Sequence, residues 1–394
     1  MFRSPFFLAY GFWHWGEGLQ TVLFTWYMTF HAGLSAIEIG FFQALVLSPF
    51  LVFTIAGGML TDRIGAGVSY IGSTTLFGVL LIGYGAVDHM VGFVPVLFFA
   101  YCVAAGVVSA VSNPAIDTFI PEAGPGTAHE NGLLAATAHN LAKLSGTITG
   151  LLLPMLAAFG GFVVNGVLML LSVAFLRKHL RQNRAQPQVH PTGEGPPWSR
   201  IWQHYRNCPE NFDILLSSAM LGLLIVPTGY ILWPLTLRER FPEYGDLIAL
   251  VNIASWIGAI SATAIAGRHS RRILKPGLVS LVVWGGYAVM LTTLTLVGSF
   301  PALCLVVMVL GSVKVGKAMV YGKYIYNCPS RARGVLISVE QTAFWGLATL
   351  GTFVMGASVD LIGLDTTILT TALLVLVFVA ALALRGRLLR LSPA

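Results

Sequence analysis

The chain has 394 residues, of which 56% are hydrophobic and 10% are charged, and its formal net charge is +7 at pH 7. An ordinary soluble domain is about 25% charged, because charged side chains cover the surface that faces water. The composition therefore excludes a soluble enzyme, a disordered chain and a disulfide-stabilised scaffold. It predicts an all-α polytopic membrane protein.

Twelve apolar runs, bounded by turn residues or charges, predict twelve transmembrane helices. They occupy about 5–30, 36–60, 67–87, 92–116, 131–158, 161–177, 211–237, 244–267, 276–297, 301–325, 332–358 and 364–385. Separating the fifth run from the sixth requires a break at Phe159-Gly160-Gly161. We expect an N-terminal six-helix bundle over 1–180, a cytoplasmic linker over 181–210 and a C-terminal six-helix bundle over 211–394.

The distribution of basic residues predicts the orientation of the chain. With the N-terminus in the cytoplasm, seventeen of the 23 Lys and Arg residues fall in inner loops and tails, and two fall in outer loops. Cytoplasmic loops of membrane proteins carry such an excess of Lys and Arg. Both termini are therefore expected in the cytoplasm, and the net charge does not indicate a nucleic-acid partner.

The two halves of the chain are similar at the end of their second run. Arg63 follows the second run, and Arg268, 205 residues later, follows the eighth run in a similar turn segment. Two parallel six-helix repeats that flank a central cavity are a known transporter architecture. The repeat predicts two pseudo-symmetric bundles.

A glycine-rich motif lies at the first of these turns. It reads G-x-L-x-D-R-x-G, with Gly58, Leu60, Asp62, Arg63 and Gly65. The motif resembles the signature between helices 2 and 3 of the major facilitator superfamily. The resemblance implies the major facilitator fold and a secondary active transporter that works by alternating access. It also implies that Asp62, Arg63 and Arg268 belong to a cytoplasmic gate; the alternative is a solvated loop pair that contributes well under about 1 kcal/mol.

A second segment, Asn113 to Glu122, reads N-P-A-I-D-T-F-I-P-E. It resembles the bacterial branch of that superfamily that contains the enterobactin exporter and related efflux permeases. This branch often has an acidic residue between glycines in its first helix, and Gly16-Glu17-Gly18 matches that pattern. The resemblance implies a multi-pass protein of the bacterial inner membrane that exports its substrate and is coupled to proton entry.

Ionisable residues inside apolar runs are functional candidates, because each costs roughly 2.5–3.5 kcal/mol or more at the bilayer centre. Glu17 lies about halfway along the first run, and burial of a carboxylate favours uptake of a proton. The alternative for Glu17 is a permanent salt bridge. His14, three residues earlier on the same helix side, is expected to pair with Glu17, or else to be a structural histidine.

Lysines mark the tenth run. Lys314 and Lys317 are three residues apart and share a helix face, which must face a cavity or a partner because lipid does not tolerate it. Glu340 is the expected partner of one lysine, and the other would bind an anionic substrate. The alternative is a wholly self-neutralised network. Asp117 and Lys143 form either an inner-gate pair or proton relay, or an ordinary packing contact.

Aromatic residues recur where a cavity is expected. Tyr230, Trp256 and Trp345 are expected to lie deep in the bundle, and Tyr321 belongs to the lysine stripe. Such rings can stack on a substrate or flank a cation, whereas rings at helix ends form interfacial belts.

These features together predict a secondary transporter and not an enzyme. The expected partners are a small anionic metabolite such as a siderophore, protons and the lipid bilayer, and the expected state is a monomer. No ATP-binding motif, cofactor or metal site is expected. The predicted proton-coupling residues are Glu17, Asp117, Glu340 and His14. The predicted substrate-binding residues are Lys314, Lys317, Lys143, Glu17, Tyr230, Trp256, Tyr321 and Trp345. The alternatives are a multidrug permease for lipophilic cations and a non-transporting membrane sensor or assembly partner.

Overall fold

The computed structural model of the chain describes residues 4–120, 128–183, 198–269, 273–329 and 333–391. Within these ranges it describes the backbone alone at residues 50, 52–63, 114, 128–134, 136, 183, 198–200, 333–335 and 338. The described residues form helices joined by short turns and contain no strand, which confirms the predicted all-α fold class.

Fifteen α-helices can be followed through the described ranges. They are α1 Pro5–Trp26, α2 Ala36–Ile64, α3 Ala66–Val91, α4 Pro95–Asp117, α5 Ala128–Thr149, α6 Leu153–Asn183, α7 Trp198–Asn207, α8 Pro209–Met220, α9 Trp233–Arg240, α10 Ile248–Arg268, α11 Pro276–Thr292, α12 Phe300–Gly311, α13 Lys314–Asn327, α14 Arg333–Ile362 and α15 Leu364–Arg385. Gly65 separates α2 from α3 with a φ of 88°, a conformation that side chains other than glycine rarely adopt. This explains the last glycine of the G-x-L-x-D-R-x-G motif.

Nine helical stretches of the described chain are long and apolar enough to cross a membrane. One of them, Thr137–Gln182, has 46 residues and contains the second half of α5 and nearly all of α6, so it accounts for two crossings. The aromatic α1 and the apolar start of α2, Ala36–Pro49, supply two more. Because α8 with α9 and α12 with α13 each form one stretch, these helices make up the twelve predicted membrane segments.

The break between the fifth and sixth membrane segments lies at Ala157, two residues before the predicted Phe159-Gly160-Gly161. Although α5 ends at Thr149, the 3-10 turn Gly150–Leu152 has right-handed helical dihedral angles at both of its ends and continues into Leu153. Ala157 then departs from helical geometry with a φ of 55°. Pro154 accounts for the 3-10 turn, because proline has no N–H to donate and disrupts the preceding helical turn.

The chain divides into two compact units. The first consists of Met1–Leu34, Leu45–Thr192 and Asp246–Ala249, and the second of Ser35–Ala44, Gly193–Gly245 and Leu250–Ala394. The start of α2 therefore groups with the second unit, which the predicted domains 1–180 and 211–394 do not anticipate. Gly40 explains the grouping, because a Cβ at that position would lie only 3.2 Å from the Cα of Gly356 in α14.

In the first unit, α1 packs against α5 and α6, and α3 packs against α4 and α6. The crossing of α1 and α5 is close because glycines face each other there. A Cβ on Gly18 would lie 2.9 Å from the Cα of Lys143, and a Cβ on Gly146 would lie 2.9 Å from the carbonyl carbon of Gly18. Small residues let membrane helices approach in this way, and the approach brings the neighbour of Gly18, Glu17, to Lys143.

In the second unit, α14 packs against α8 and the π-helical turn that follows it, and α11 packs against α13 and α15. A buried carboxylate joins the start of α8 to the end of α15. Asp213 accepts a hydrogen bond from Nε of Arg385 at 2.8 Å, and Nη1 of Arg387 lies 3.5 Å away. Removing one partner of a buried pair leaves a charge uncompensated, so this contact holds the two helix ends together.

The predicted linker 181–210 contains a helix of its own. Its central residues 184–197 lie outside the described ranges, but α7 follows them and docks on α13, where the hydroxyls of Tyr205 and Tyr324 are 2.8 Å apart. Asn211 Nδ2 donates to Nε2 of His204 at 3.0 Å, which requires a neutral imidazole. Burial holds the pKa of His204 below its usual range and raises the pKa of Tyr205 to about 12.

We expect Gly146→Val to destabilise the first unit, because the added methyl groups would push α5 away from α1. Overpacking of this kind costs typically about 1–3 kcal/mol, so the thermal unfolding midpoint of the purified protein should fall by several degrees. Gly83→Val is the matched control, since a Cβ on this α3 glycine meets no atom within 4 Å. Equal unfolding midpoints for the two variants would contradict the close crossing.

We expect the docking of α7 to weaken at acidic pH. Because the folded-state pKa of His204 lies below the ordinary value of 6.5, its contribution to docking is fully present above pH 6.5 and is lost as the pH falls from 6.5 through the lowered pKa. Hydrogen exchange of the α7 amides, corrected for intrinsic rates, should accelerate several-fold on acidification. His204→Gln should abolish the acceleration, and His269→Gln, at the exposed end of α10, should preserve it. Acceleration that persists in His204→Gln would overturn the assignment.

Candidate functional site

Glu17 is the centre of a polar cluster inside the first unit. Its Oε2 lies 2.6 Å from Nδ1 of His14 and 3.5 Å from Nζ of Lys143. The three side chains are mostly covered, with exposed fractions of 21% for Glu17, 5% for His14 and 26% for Lys143. The cluster therefore places a carboxylate, an ammonium and a histidine, which can exchange a proton near neutral pH, within one hydrogen-bonding group.

Asn113 completes this cluster, and sequence reasoning did not select it as a site residue. Its Nδ2 donates to Oε1 of Glu17 at 3.2 Å, and its Oδ1 accepts from Nε1 of Trp13 at 2.8 Å. The sequence did contain a signal for Asn113, which is an amide within the apolar α4. A polar side chain inside a membrane bundle requires a hydrogen-bonding partner, so it indicates a contact with another helix. Trp13 lies one turn before Glu17 on α1, so a single helix supplies both partners of the amide.

Rings surround the histidine of the cluster. The ring centroids of His14 and His139 are 4.1 Å apart, and those of His14 and Tyr10 are 4.3 Å apart. His139 lies one turn before Lys143 on α5. The cluster is therefore enclosed by imidazole and phenol groups, which both donate and accept hydrogen bonds.

Asp117 and Lys143, for which the sequence allows either a functional pair or a packing contact, do not form a salt bridge. Lys143 pairs with Glu17 instead, because the close crossing of α1 and α5 sets the lysine beside the glutamate. Asp117 is the last residue of α4, its side chain is exposed, and it interacts with the hydroxyl of Tyr10. Asp117 thus lies near the cluster without sharing its ion pair.

A second acid–lysine pair lies inside the second unit. Oε1 of Glu340 is 2.9 Å from Nζ of Lys317 and accepts a hydrogen bond from Ser218 at 2.5 Å. Glu340 is fully buried, and its other oxygen, Oε2, has no hydrogen-bond partner among the described residues. Nζ of Lys317 also lies 3.5 Å from the ring centroid of Phe344. The lysine is thus held by a carboxylate on one side and an aromatic ring on the other.

Lys314 has a different environment from Lys317. Its Nζ lies 3.8 Å from the ring centroid of Trp256 on α10, a cation–π distance, and its side chain is exposed. An indole face attracts an ammonium through the quadrupole of its ring. Lys314 and Trp256 together therefore present a cation and an aromatic ring side by side.

The other predicted aromatic residues lie in differing places within the second unit. Tyr321 is half-buried on α13, where its ring centroid is 5.6 Å from Nζ of Lys317. Tyr230 is half-buried in the π-helical turn Thr228–Leu232. Trp345 is 38% exposed, which corrects the expectation that it lies deep in the bundle: it follows Phe344 on α14, so it points about 100° away from the face that carries Phe344.

The predicted gate can be followed only in part. The side chains of Asp62 and Arg63 lie outside the described part of the structure, which gives only their backbone in α2. Arg268 ends α10 with an exposed side chain. In the described ranges, no three His, Cys, Asp or Glu side chains come together as a metal site would require.

Comparisons with known proteins agree with this architecture. A family model described as Major Facilitator Superfamily matches residues 6–350. No curated protein matches the chain significantly.

Several solved structures of transporters share the fold. A mutant of the nucleoside transporter NupG has a TM-score of 0.77 at 13% identity, over 96% of this chain and 98% of that one. A POT family transporter in complex with 5-aminolevulinic acid has a TM-score of 0.76 at 12% identity, over 98% and 96%. A bacterial homolog of the human lysosomal transporter Spinster has a TM-score of 0.70 at 12% identity, over 99% and 98%.

At such identities the structural likenesses show the fold alone. The family assignment rests on the sequence match, which covers most of the chain, and the twelve-segment helical fold agrees with it. This multi-pass membrane protein is a transporter and not an enzyme, and it belongs to the major facilitator superfamily.

Proposed function

We propose that this transporter is proton-coupled and exports a small anionic metabolite, with a siderophore as the leading candidate. The observation that carries the proposal is the cluster in which Glu17 meets both Lys143 and His14 within a membrane bundle. The resemblance of the segment Asn113 to Glu122 to the enterobactin-exporter branch supports export and a bacterial inner-membrane location. The working unit of the proposal is a monomer with cytoplasmic termini.

Proton coupling follows from the chemistry of this cluster. An ionised Glu17 attracts the ammonium of Lys143, whereas a protonated Glu17 carries no charge and releases that attraction. Inside a membrane bundle, where there is little water, protonation of Glu17 changes the Coulomb energy of this pair by more than it would in water. Uptake and loss of one proton can therefore switch the lysine between its internal partner and a transported anion, and His14 can pass the proton to or from Glu17.

Anion binding is supported by the lysines of α13. Lys314 lies over Trp256, so an aromatic carboxylate or catecholate could pair with the ammonium while its ring contacts the indole. Lys317 is held by Glu340, which in this proposal competes with the substrate for the lysine. Together these groups favour substrates that combine negative charge with a planar ring.

A lipophilic cation is the second candidate substrate. The observation that favours it is the buried carboxylate of Glu340, whose Oε2 lacks a hydrogen-bond partner among the described residues while Phe344 lies close by. A carboxylate beside aromatic rings is suited to an organic cation. In that case the acids, not the lysines, would bind the substrate.

We expect Glu17→Gln to uncouple transport from the proton gradient, because the amide cannot ionise. In proteoliposomes with pyranine inside and 2,3-dihydroxybenzoate as the probe, gradient-driven flux should fall about tenfold or more, the effect of about 1.4 kcal/mol of lost driving interaction. Exchange of the probe without a gradient should persist. Glu243→Gln, in an exposed turn, is the matched control. Unchanged gradient-driven flux in Glu17→Gln would contradict the proton role.

We expect replacement of both Lys314 and Lys317 by Gln to weaken binding of the anionic probe. A charge-assisted hydrogen bond contributes about 1.5–3 kcal/mol, so the probe concentration that half-saturates exchange should rise about tenfold or more. Lys178→Gln, on the exposed end of α6, should leave this half-saturating concentration unchanged.

The same liposomes separate the rival functions. Uptake of tetraphenylphosphonium that survives the lysine replacements and is lost in Glu340→Gln would identify the cation transporter and refute the anion site. Absence of exchange for the anionic probe, for citrate and for tetraphenylphosphonium would favour a non-transporting sensor or assembly partner.

A further inference from the structure

We propose that Asn113 and Trp13 are positioning residues that direct the transported proton to one particular oxygen of Glu17, its Oε2. The inference rests on the proposed proton role of Glu17 and deepens it. It arises from the hydrogen-bonding capacity of the two residues and from the geometry of their contacts.

Trp13 determines which way the amide of Asn113 points. The indole Nε1–H can only donate, so the atom of Asn113 at 2.8 Å from it must be the acceptor Oδ1. A flipped amide would oppose its NH2 group to the indole N–H, donor against donor. Trp13 is fully buried, with ring centroids 5.7 Å from Tyr70 and 6.1 Å from Phe77, so its donor is held in place.

The amide orientation decides where a proton can sit on Glu17. With Oδ1 occupied by Trp13, Nδ2 of Asn113 faces Oε1 of Glu17 at 3.2 Å and presents a donor to it. A neutral carboxyl group has one O–H donor and one carbonyl oxygen that only accepts. Nδ2 of Asn113 can only donate, whereas Nδ1 of His14 becomes an acceptor when the imidazole changes its tautomer. The carbonyl oxygen is therefore Oε1, and the hydroxyl forms at Oε2. The incoming proton binds Nε2 of His14, the Nδ1–H bond breaks as its proton moves to a lone pair of Oε2, and the cluster gains one positive charge.

Oε2 is the oxygen that meets both His14 and Lys143. A proton placed there removes the charge that Lys143 faces and puts a donor in front of Nδ1 of His14. Each proton that binds at Oε2 therefore weakens the attraction between Glu17 and Lys143. Were the amide free to flip, a hydroxyl at Oε1 could donate to Oδ1 of Asn113. Oε2 would then remain a neutral hydrogen-bond acceptor for Lys143, so proton uptake would weaken the hold on the lysine less.

Other groups also face Glu17, and they set the electrostatic background of this step. The titratable and charged ones are Tyr10 and His14 from α1, Tyr70 from α3, Asp117 from α4, and His139 and Lys143 from α5. From α6, the polar Asn165 lies beside Gly16. Asn113 differs from the titratable groups because it is a neutral side chain whose orientation does not change with pH.

Infrared difference spectroscopy between acidic and alkaline pH tests the proposal on the full-length protein in lipid bilayers without any substrate. The probe is the carbonyl stretch of protonated Glu17, identified as the band that Glu17→Gln removes. A carbonyl oxygen that accepts a hydrogen bond from Asn113 absorbs at lower frequency than one that does not. We expect the band to shift upward in Asn113→Leu, and to shift or split in Trp13→Phe as the amide gains freedom.

Two variants serve as matched controls. Trp15→Phe removes another indole of α1, whose Nε1 donates to Thr149 at 2.9 Å, and Asn140→Leu removes an exposed amide of α5. The band should stay at its wild-type position in both. Asn113→Leu has nearly the size of the native side chain, so the test stands even if Trp13→Phe is poorly folded.

The possible outcomes distinguish this inference from the proposed function. If Glu17→Gln removes no band, Glu17 does not bind a proton, and both proposals fail. If Glu17→Gln removes a band that keeps its frequency in Asn113→Leu and in a folded Trp13→Phe, the positioning role is refuted and the proton role of Glu17 stands. A shift confined to Asn113→Leu, with Trp13→Phe like wild type, would show that the indole does not orient the amide.

Discussion

The close crossing of α1 and α5 is the constraint on which the polar interior of the first unit depends. Gly18 and Gly146 let the two backbones approach, and this approach sets Lys143 beside Glu17. A carboxylate in a helix bundle without a cation nearby would be strongly destabilising. An ion pair there is tolerated only if its remaining hydrogen-bonding groups have partners. His14 and Asn113 are these partners for the oxygens of Glu17. The packing of these two glycines thus determines which charged side chains form a pair.

The two units satisfy the same requirement with different means. The first surrounds a partly exposed carboxylate with a lysine, a histidine and an amide, whereas the second buries Glu340 completely between Lys317 and Ser218. A group that is partly exposed and paired with a histidine is the better candidate to exchange protons. A fully buried carboxylate is the better candidate to pair with a lysine until the substrate replaces it. Glu17, rather than Glu340, is therefore the residue proposed to bind the transported proton.

Sequence reasoning succeeded where the signal is a repeated pattern. Twelve apolar runs give the twelve membrane segments, and helical spacing places His14 on the same side of α1 as Glu17. It failed where a contact depends on geometry between helices. The 3-10 turn Gly150–Leu152 was not predicted, and the helix breaks at Ala157 rather than at the glycines that follow it. An amphipathic helix in the predicted linker was not anticipated, because ten residues in a basic, proline-containing stretch give only a weak pattern.

Composition by itself therefore determined that this is a polytopic helical membrane protein, because so few charges cannot cover a soluble surface. It also reduced the mechanism to a short set of ionisable residues within apolar runs. Only the tertiary structure decided which of these meet. Lys143 joins Glu17 and not Asp117, and a neutral residue, Asn113, holds one of the two carboxylate oxygens. The physical reason is that hydrogen bonds between helices depend on the angle and distance of their crossing, which no spacing along a single helix encodes.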